Sequence, residues 1–390
     1  MKKMKNQDIF ITSIHVKKVR NLENFDISLS EDKRQNLIIT GKNGSGKTSL
    51  LLELDKFIEG LANKKSITGC YGDAPYGVLP FGGMIFSNAL NNGTEINFKN
   101  SSFLKENYLV ILFEAKRSNA PIPPSGINKI TFQKQYQSTD EVNKNFIQYI
   151  VNLKAERSFA KDENEHDAAR QIDFWFERFE NQLKNLFDAP DLRLIFDRKN
   201  YNFHIQIGNN EPFAFNELSD GYSAVISIVT ELILRMEAAG NKAYDQQGIV
   251  LIDEIETHLH VALQKKILPF LCDFFPNVQF IVTTHSPFVL SSISNAVICD
   301  LETKEVITDL SGYSYSALVE SYFDTDKYSQ EVKAKITRFE ELSLKEVLNE
   351  KEEDERYELK RYFNDLPKFH ADELAVKLQQ IKLQTMARKG

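Results

Sequence analysis

The chain has 390 residues, 42% of them hydrophobic and 26% charged, with a formal net charge of −7. Such a composition suits a globular protein with one large domain or two modest ones, and excludes a disordered, fibrous or repetitive chain. The acidic balance argues against a surface that coats nucleic acid, which needs many Lys and Arg contacts to phosphate, and three cysteines without a Cys-x-x-Cys pair argue against a disulfide framework or thiolate zinc site.

The start, MKKMKNQDIF, has lysines but no apolar run after them, and no later run reaches membrane-spanning length. A soluble, cytoplasmic protein without a membrane partner is expected. Lys2, Lys3 and Lys5, with Lys17, Lys18 and Arg20, read as a solvated face before they read as a basic groove.

Residues 9–29 alternate apolar and polar side chains, which predicts two antiparallel strands. Asn36 to Thr40 is a short buried-type strand, and Ser49 to Leu61 has helical periodicity through Leu51, Leu54, Phe57, Ile58 and Leu61. Between them lies Gly41-Lys42-Asn43-Gly44-Ser45-Gly46-Lys47-Thr48, which fits G-x-x-x-x-G-K-[ST] at every fixed position. Glycines there let backbone N–H groups converge on phosphate oxygens, and the helix that follows presents its positive end to the anion. Lys47 reaches for the β- and γ-phosphates, the Thr48 hydroxyl suits Mg²⁺, and Gly41, Asn43, Gly44, Ser45, Gly46 and Ser49 complete the expected nucleotide cradle.

Residues 62–150 are punctuated by Gly, Pro and Asn, hold a strand-like piece from Tyr108 to Glu114, and read as an insertion within the same body rather than an independent domain. An apolar stripe of Ile172, Trp175, Phe176, Phe179, Leu183 and Phe187 predicts a core helix over 165–187. Strands return from Leu192 to Phe215, with Gly208-Asn209-Asn210 as a turn. Leu218-Ser219-Asp220-Gly221-Tyr222 then precedes an apolar helix, where Ser219 and Gly221 could grip an anion at its N-terminus. One phosphate loop needs no second grip in its own subunit, so this one makes sense if it closes on nucleotide held by another protomer.

The aliphatic run Gly248 to Ile252 ends in Asp253 and Glu254. A buried strand of this kind delivers Asp253 to a Mg²⁺ shell and Glu254 to the attacking water as general base. A second such strand, from Phe280, ends at His285, placed to contact the γ-phosphate and Glu254. His258 and His260 have poor metal-ligand spacing and are read as structural. From about Ser329 the chain is densely charged at helical spacing, as in surface helices or a partner-binding arm.

In this order the four elements resemble the Walker A, signature, Walker B and switch-histidine motifs of ABC ATPases. LSDGY is similar to the LSGGQ signature but departs from it at Asp220 and Tyr222, as in the branch that includes RecF, SMC and OLD-type ATPases. More narrowly, LSDGYSAVISIV, GIVLIDEIETHLH and PNVQFIVTTHSPFVLSS look like AAA-family ATPase subunits of bacterial anti-phage defence, of Septu, OLD or PARIS type. The resemblance covers Ile11 to Leu61 and Lys154 to Leu301.

It implies an α/β P-loop fold with a mixed-sheet lobe, a helical lobe and a C-terminal helical tail. It implies ATP and Mg²⁺ as cofactors, and a homodimer that sandwiches ATP and can assemble further. It implies a nuclease or toxin effector as partner, with nucleic acid a further candidate. The expected domains are an ATPase over 1–328, with its helical and signature lobe near 155–240, and a tail over 329–390. Glu256 to His260 would serve as a loop across the dimer, and a Mg²⁺-sensing glutamine is expected between the first two motifs, with Gln148 as candidate. Expected catalytic residues are Glu254, His285 and Lys47; expected metal ligands are Thr48, Asp253 and Gln148. Asp324-Thr325-Asp326 lacks the sheet of a Toprim nuclease and is read as a loop, so no nuclease site is expected in this chain. The alternative is a repair or chromosome-maintenance ATPase that clamps DNA itself. The long gap before the signature disfavours a transporter subunit.

Overall fold

The structure, a computed structural model, describes residues 8–62, 85–87, 93–100, 108–117, 121–124, 126–133, 136–137, 140–240, 244–312, 318, 330–345 and 347–364. Asp324 to Asp326 and Cys70 lie outside these. Residues 1–313 and 314–390 form two compact units.

In the first unit, a six-stranded sheet has the order β13-β12-β3-β11-β10-β6. Its strands are β3 (Asn36–Thr40), β6 (Leu109–Phe113), β10 (Gly248–Ile252), β11 (Val278–Thr283), β12 (Ala296–Asp300) and β13 (Val306–Thr308). All pair in parallel except β13, which is antiparallel to β12. β3, β6, β10, β11 and β12 are buried along their whole length, which is why they read as unbroken apolar runs rather than as alternation. In such a sheet ligands bind beyond the carboxyl ends of the strands.

A second, four-stranded antiparallel sheet has the order β2-β1-β5-β4, built from β1 (Phe10–Val19), β2 (Leu22–Ser28), β4 (Ile85–Ser87) and β5 (Thr94–Lys99). Helix α1 (Lys47–Ala62) joins both sheets into one core, in which Ile11, Ile14 and Val16 of β1 meet Leu50, Leu54 and Phe57 of α1 and Leu37 and Ile39 of β3. The N-terminal hairpin, strand β3 and helix α1 therefore stand where the sequence pattern predicts them.

The remaining lobe holds α2 (Phe146–Asp162), α3 (His166–Phe187), a small sheet of β7 (Leu192–Asp197), β8 (Asn202–Ile207) and β9 (Phe213–Ala214), and α4 (Asp220–Ala238). Phe146 and Tyr149 of α2 pack with Trp175 and Phe179 of α3 in an aromatic cluster. Short helices α5 (Val261–Gln264), α6 (Ile267–Phe274) and α7 (Pro287–Leu290) follow β10 and β11. The α/β P-loop class expected from the sequence is the one observed.

In the second unit, α8 (Gln330–Leu344) and α9 (Glu350–Asn364) pair through Ile336, Phe339 and Phe363, and Arg338 donates to Glu355 at 2.9 Å. No helix among the described residues is long and apolar enough to cross a membrane.

Candidate functional site

The loop between β3 and α1 runs from Gly41 to Gly46. Gly41 and Gly46 have φ of +138° and +103°, and each is closely approached: a Cβ on Gly41 would lie 2.8 Å from Ser45 Oγ, and one on Gly46 3.1 Å from Leu22 Cδ1. Backbone conformation disfavours a side chain at both, and the close approach of Ser45 and Leu22 adds crowding. Lys47 opens α1, is buried, and donates from Nζ to the carbonyls of Gly41 (2.9 Å) and Lys42 (3.1 Å). Burial pushes its pKa down, against the pull of Glu254, Asp253, Glu256 and Asp300.

Thr48, the next residue, donates its hydroxyl to Asp253 Oδ2 at 2.8 Å. Asp253 leaves the end of β10, its N–H held by Phe113 O at 2.8 Å, and its Oδ1 accepts from the Thr283 hydroxyl at 2.6 Å. Thr283 ends β11 and its Oγ1 also accepts the Glu254 N–H at 2.7 Å. Glu254 has φ of +44°, a left-handed conformation that is uncommon for a residue with a side chain.

Glu256 ties this turn to the next strand. Its carboxylate accepts from the Thr284 hydroxyl at 2.7 Å and from the His285 N–H at 2.5 Å. His285 Nε2 is buried without a hydrogen-bond partner, as is Ser45 Oγ. Burial first, and Lys47 second, push the imidazole pKa below its ordinary value, with Glu256, Glu254 and Asp253 opposing. From the β6 side, Arg117 donates to the carbonyls of Asp253 (3.1 Å), Glu254 (2.9 Å) and Ile255 (3.4 Å).

Lys47, Thr48, Asp253, Glu254 and His285 therefore meet at the carboxyl ends of β3, β10 and β11. A hydroxyl hydrogen-bonded to a carboxylate is a hard-oxygen donor pair that fits Mg²⁺, and two orphaned polar atoms, Ser45 Oγ and His285 Nε2, fit a phosphate-bearing ligand.

Ser219 and Gly221 lie elsewhere. Ser219 is the N-cap of α4, exposed and extended, and its side chain caps nothing. Together with Asp220, Tyr222, Asp188, His258 and Lys266 they line a cavity of about 490 Å³ that includes no residue of the phosphate loop. A Cβ on Gly221 would meet His258 O at 3.0 Å, so the loop after Glu254 packs directly on the signature turn. Tyr222 stacks on Phe187 at 4.1 Å and 5°. His260 Nδ1 accepts from the Ala262 N–H at 3.4 Å, capping α5.

Ser49 lines a different cavity, of about 370 Å³, with Lys18, Arg20 and Lys56. Gln148 is not drawn to the Thr48–Asp253 pair. It sits in α2, and its amide donates to Gly126 O in the preceding loop at 2.8 Å and to Asn152 Oδ1 one turn on in the same helix at 3.0 Å. Reading along the chain placed Glu256 only at the start of a loop across the dimer, and did not single out Arg117 or Thr283. The two threonines beside His285 and the third carboxylate of Asp-Glu-Ile-Glu were the available signals; Arg117 had none.

Residues 109–291 match the family described as "AAA domain, putative AbiEii toxin, Type IV TA system". The chain is similar to the Septu protein PtuA of Bacillus mycoides (strain KBAB4), at 25% identity over 337 residues, covering 80% of this chain and 44% of that one. Over 90 residues it is 39% identical to the Retron Ec83 probable ATPase of Escherichia coli, covering 22% and 17%. The chain thus spans less than half the length of these two curated relatives. Among solved structures, the SMC head bound to the C-winged helix domain of ScpA aligns at 14% identity and a TM-score of 0.40, covering 75% of this chain and 94% of that one. By sequence the chain is thus similar to the Septu protein PtuA and, over a shorter stretch, to a retron probable ATPase.

Proposed function

We propose that this chain binds and hydrolyses ATP, closes as a homodimer around it, and uses that closure to gate a nuclease or toxin effector in anti-phage defence. The observation that carries the ATPase reading is the chain of bonds from Thr48 through Asp253 and Thr283 to the Glu254 N–H, which brings a hydroxyl–carboxylate pair suited to Mg²⁺ together with the backbone of Glu254. The defence role rests on the similarity to Septu and retron proteins.

Thr48 and Asp253 would hold Mg²⁺, which supplies charge neutralisation on the β- and γ-phosphates. Lys47 exchanges the carbonyls of Gly41 and Lys42 for phosphate oxygens and so binds substrate by charge. Glu254, held by its backbone, orients the attacking water and takes its proton as the bond from the γ-phosphorus to the bridging oxygen breaks. His285, uncharged at neutral pH, offers Nε2 as a neutral hydrogen-bond partner to the same phosphate or water.

Ser219, Gly221 and the N-terminus of α4 form a second anion-binding face, and supplied by another protomer they would complete the site. The dimer, the cytoplasmic setting and the division into an ATPase body and a helical tail belong to this reading.

The test of the gate is to express tagged Glu254→Gln protein with its native neighbouring genes and identify what co-purifies. A stoichiometric nuclease or toxin supports the gating role. Recovery of nucleic acid without a protein partner would replace it with a direct DNA clamp.

A further inference from the structure

We infer that Arg117 is a positioning residue for hydrolysis, holding the Glu254 backbone in its left-handed conformation from the β6 side. The inference rests on the ATPase reading above and adds a residue to it.

Asp253, Glu254 and Ile255 form the turn by which the chain leaves β10. Their three consecutive carbonyls all accept from one guanidinium, with Nη2 serving both Glu254 and Ile255. Strand β6 grips the same turn a second time, since Phe113 O accepts the Asp253 N–H at 2.8 Å. The turn is thus held through its N–H by the end of β6, and through its carbonyls by a side chain four residues further on.

Only a planar cation with several donors can serve three such acceptors at once; an ammonium on a flexible stem has neither the span nor the fixed geometry. The carboxylates of Asp253, Glu254 and Glu256 stand near the guanidinium, yet its hydrogen bonds go to backbone, which leaves those carboxylates available for metal, water and His285. The conformation so held is the strained one, Glu254 at φ +44°. A residue that fixes strain at a catalytic carboxylate acts on the reacting geometry rather than on substrate affinity.

The test compares Arg117→Met, Arg117→Lys and Arg117→Ala with the wild-type chain and with Glu254→Gln. Phosphate release, binding of a fluorescent ATP analogue and thermal melting are measured on each. Expected is a fall in kcat of roughly 10- to 100-fold in the Met and Lys variants, with analogue affinity unchanged. Guanidinium at low millimolar concentration should restore part of the lost rate in Arg117→Ala and leave Glu254→Gln inactive. Wild-type kcat in both the Met and Lys variants overturns the inference. So does a loss of rate matched by an equal loss of analogue binding or by collapse of the melting transition in the Lys variant. A wild-type chain without ATPase activity, or Glu254→Gln as fast as wild type, overturns the ATPase reading and this one with it.

Discussion

Thr48 and Asp253 stand 205 residues apart and share a hydrogen bond of 2.8 Å. One closes the phosphate loop, the other ends β10, and β11 between β3 and β10 supplies Thr283 to hold the second carboxylate oxygen at 2.6 Å. The pair proposed to hold Mg²⁺ is thereby set in place by the folding of the sheet.

Thr283→Val keeps the shape of the side chain and removes both bonds of its hydroxyl, leaving Asp253 Oδ1 and the Glu254 N–H without their partner. Stability should fall by about 1–3 kcal/mol, as for buried groups left unsatisfied, and kcat should fall more than ATP affinity. Urea titration and phosphate release on the same preparation check both.

Lys47→Ala removes the buried cation that opens α1 beside the phosphate loop. ATP affinity should drop roughly 10- to 100-fold, the scale of a hydrogen bond between charged groups, measured by titration with a fluorescent analogue. Affinity within twofold of wild type would show that Lys47 does not meet the phosphates.

The dimer is tested by complementation. Ser219→Arg blocks the signature face and Lys47→Ala the phosphate loop, so neither variant alone should hydrolyse ATP. A one-to-one mixture should regain about a quarter of the wild-type rate, because half its dimers are mixed and each of those holds one complete site. A mixture as inactive as its components argues against sharing of sites between protomers.

Glu231 and Arg235 form a buried pair at 2.7 Å inside α4, where Glu231 also accepts from the Val142 and Asn143 N–H groups. Arg235→Met strands the Glu231 charge and should cost about 3–5 kcal/mol in urea unfolding, with part regained in the double variant Glu231→Gln/Arg235→Met. Equal losses in both would mean that Arg235 acts through its bonds to the Gln137 and Asp140 carbonyls rather than by neutralising Glu231.

His285 should leave a mark on stability below neutral pH. Its folded pKa lies below the ordinary 6.5, so above that pH neither state carries the proton and nothing is gained or lost. As pH falls below 6.5 the unfolded chain takes up a proton that the folded chain resists, and stability declines. His285→Gln should flatten the melting temperature between pH 7 and about pH 5.5 relative to wild type. Parallel curves would mean that the imidazole is not held neutral by the fold.

Much of this was legible in the sequence. The phosphate loop has fixed spacing, and the strands that flank the site are apolar on both faces, so Asn36 to Thr40 and Gly248 to Ile252 stand out as unbroken runs. Helix α2 did not, because its first half, Phe146 to Leu153, is apolar on nearly every side and its second half is charged, which leaves no stripe to count. Expecting an insertion as far as residue 150 cut through it. Gln148 belongs to that helix and serves the loop at Gly126. Arg117 was invisible for another reason: it lies 136 residues from the Asp253 carbonyl it grips, and a lone arginine in a loop carries no spacing.

If Glu254 activates the attacking water, Glu254→Gln separates ATP binding from hydrolysis. ATP binding and phosphate release should be measured on one preparation, with its mass followed by light scattering. Expected is wild-type ATP affinity, hydrolysis reduced by roughly 100-fold or more, and a dimer that forms with ATP and persists. Hydrolysis near the wild-type rate, with no lasting dimer, would contradict that role.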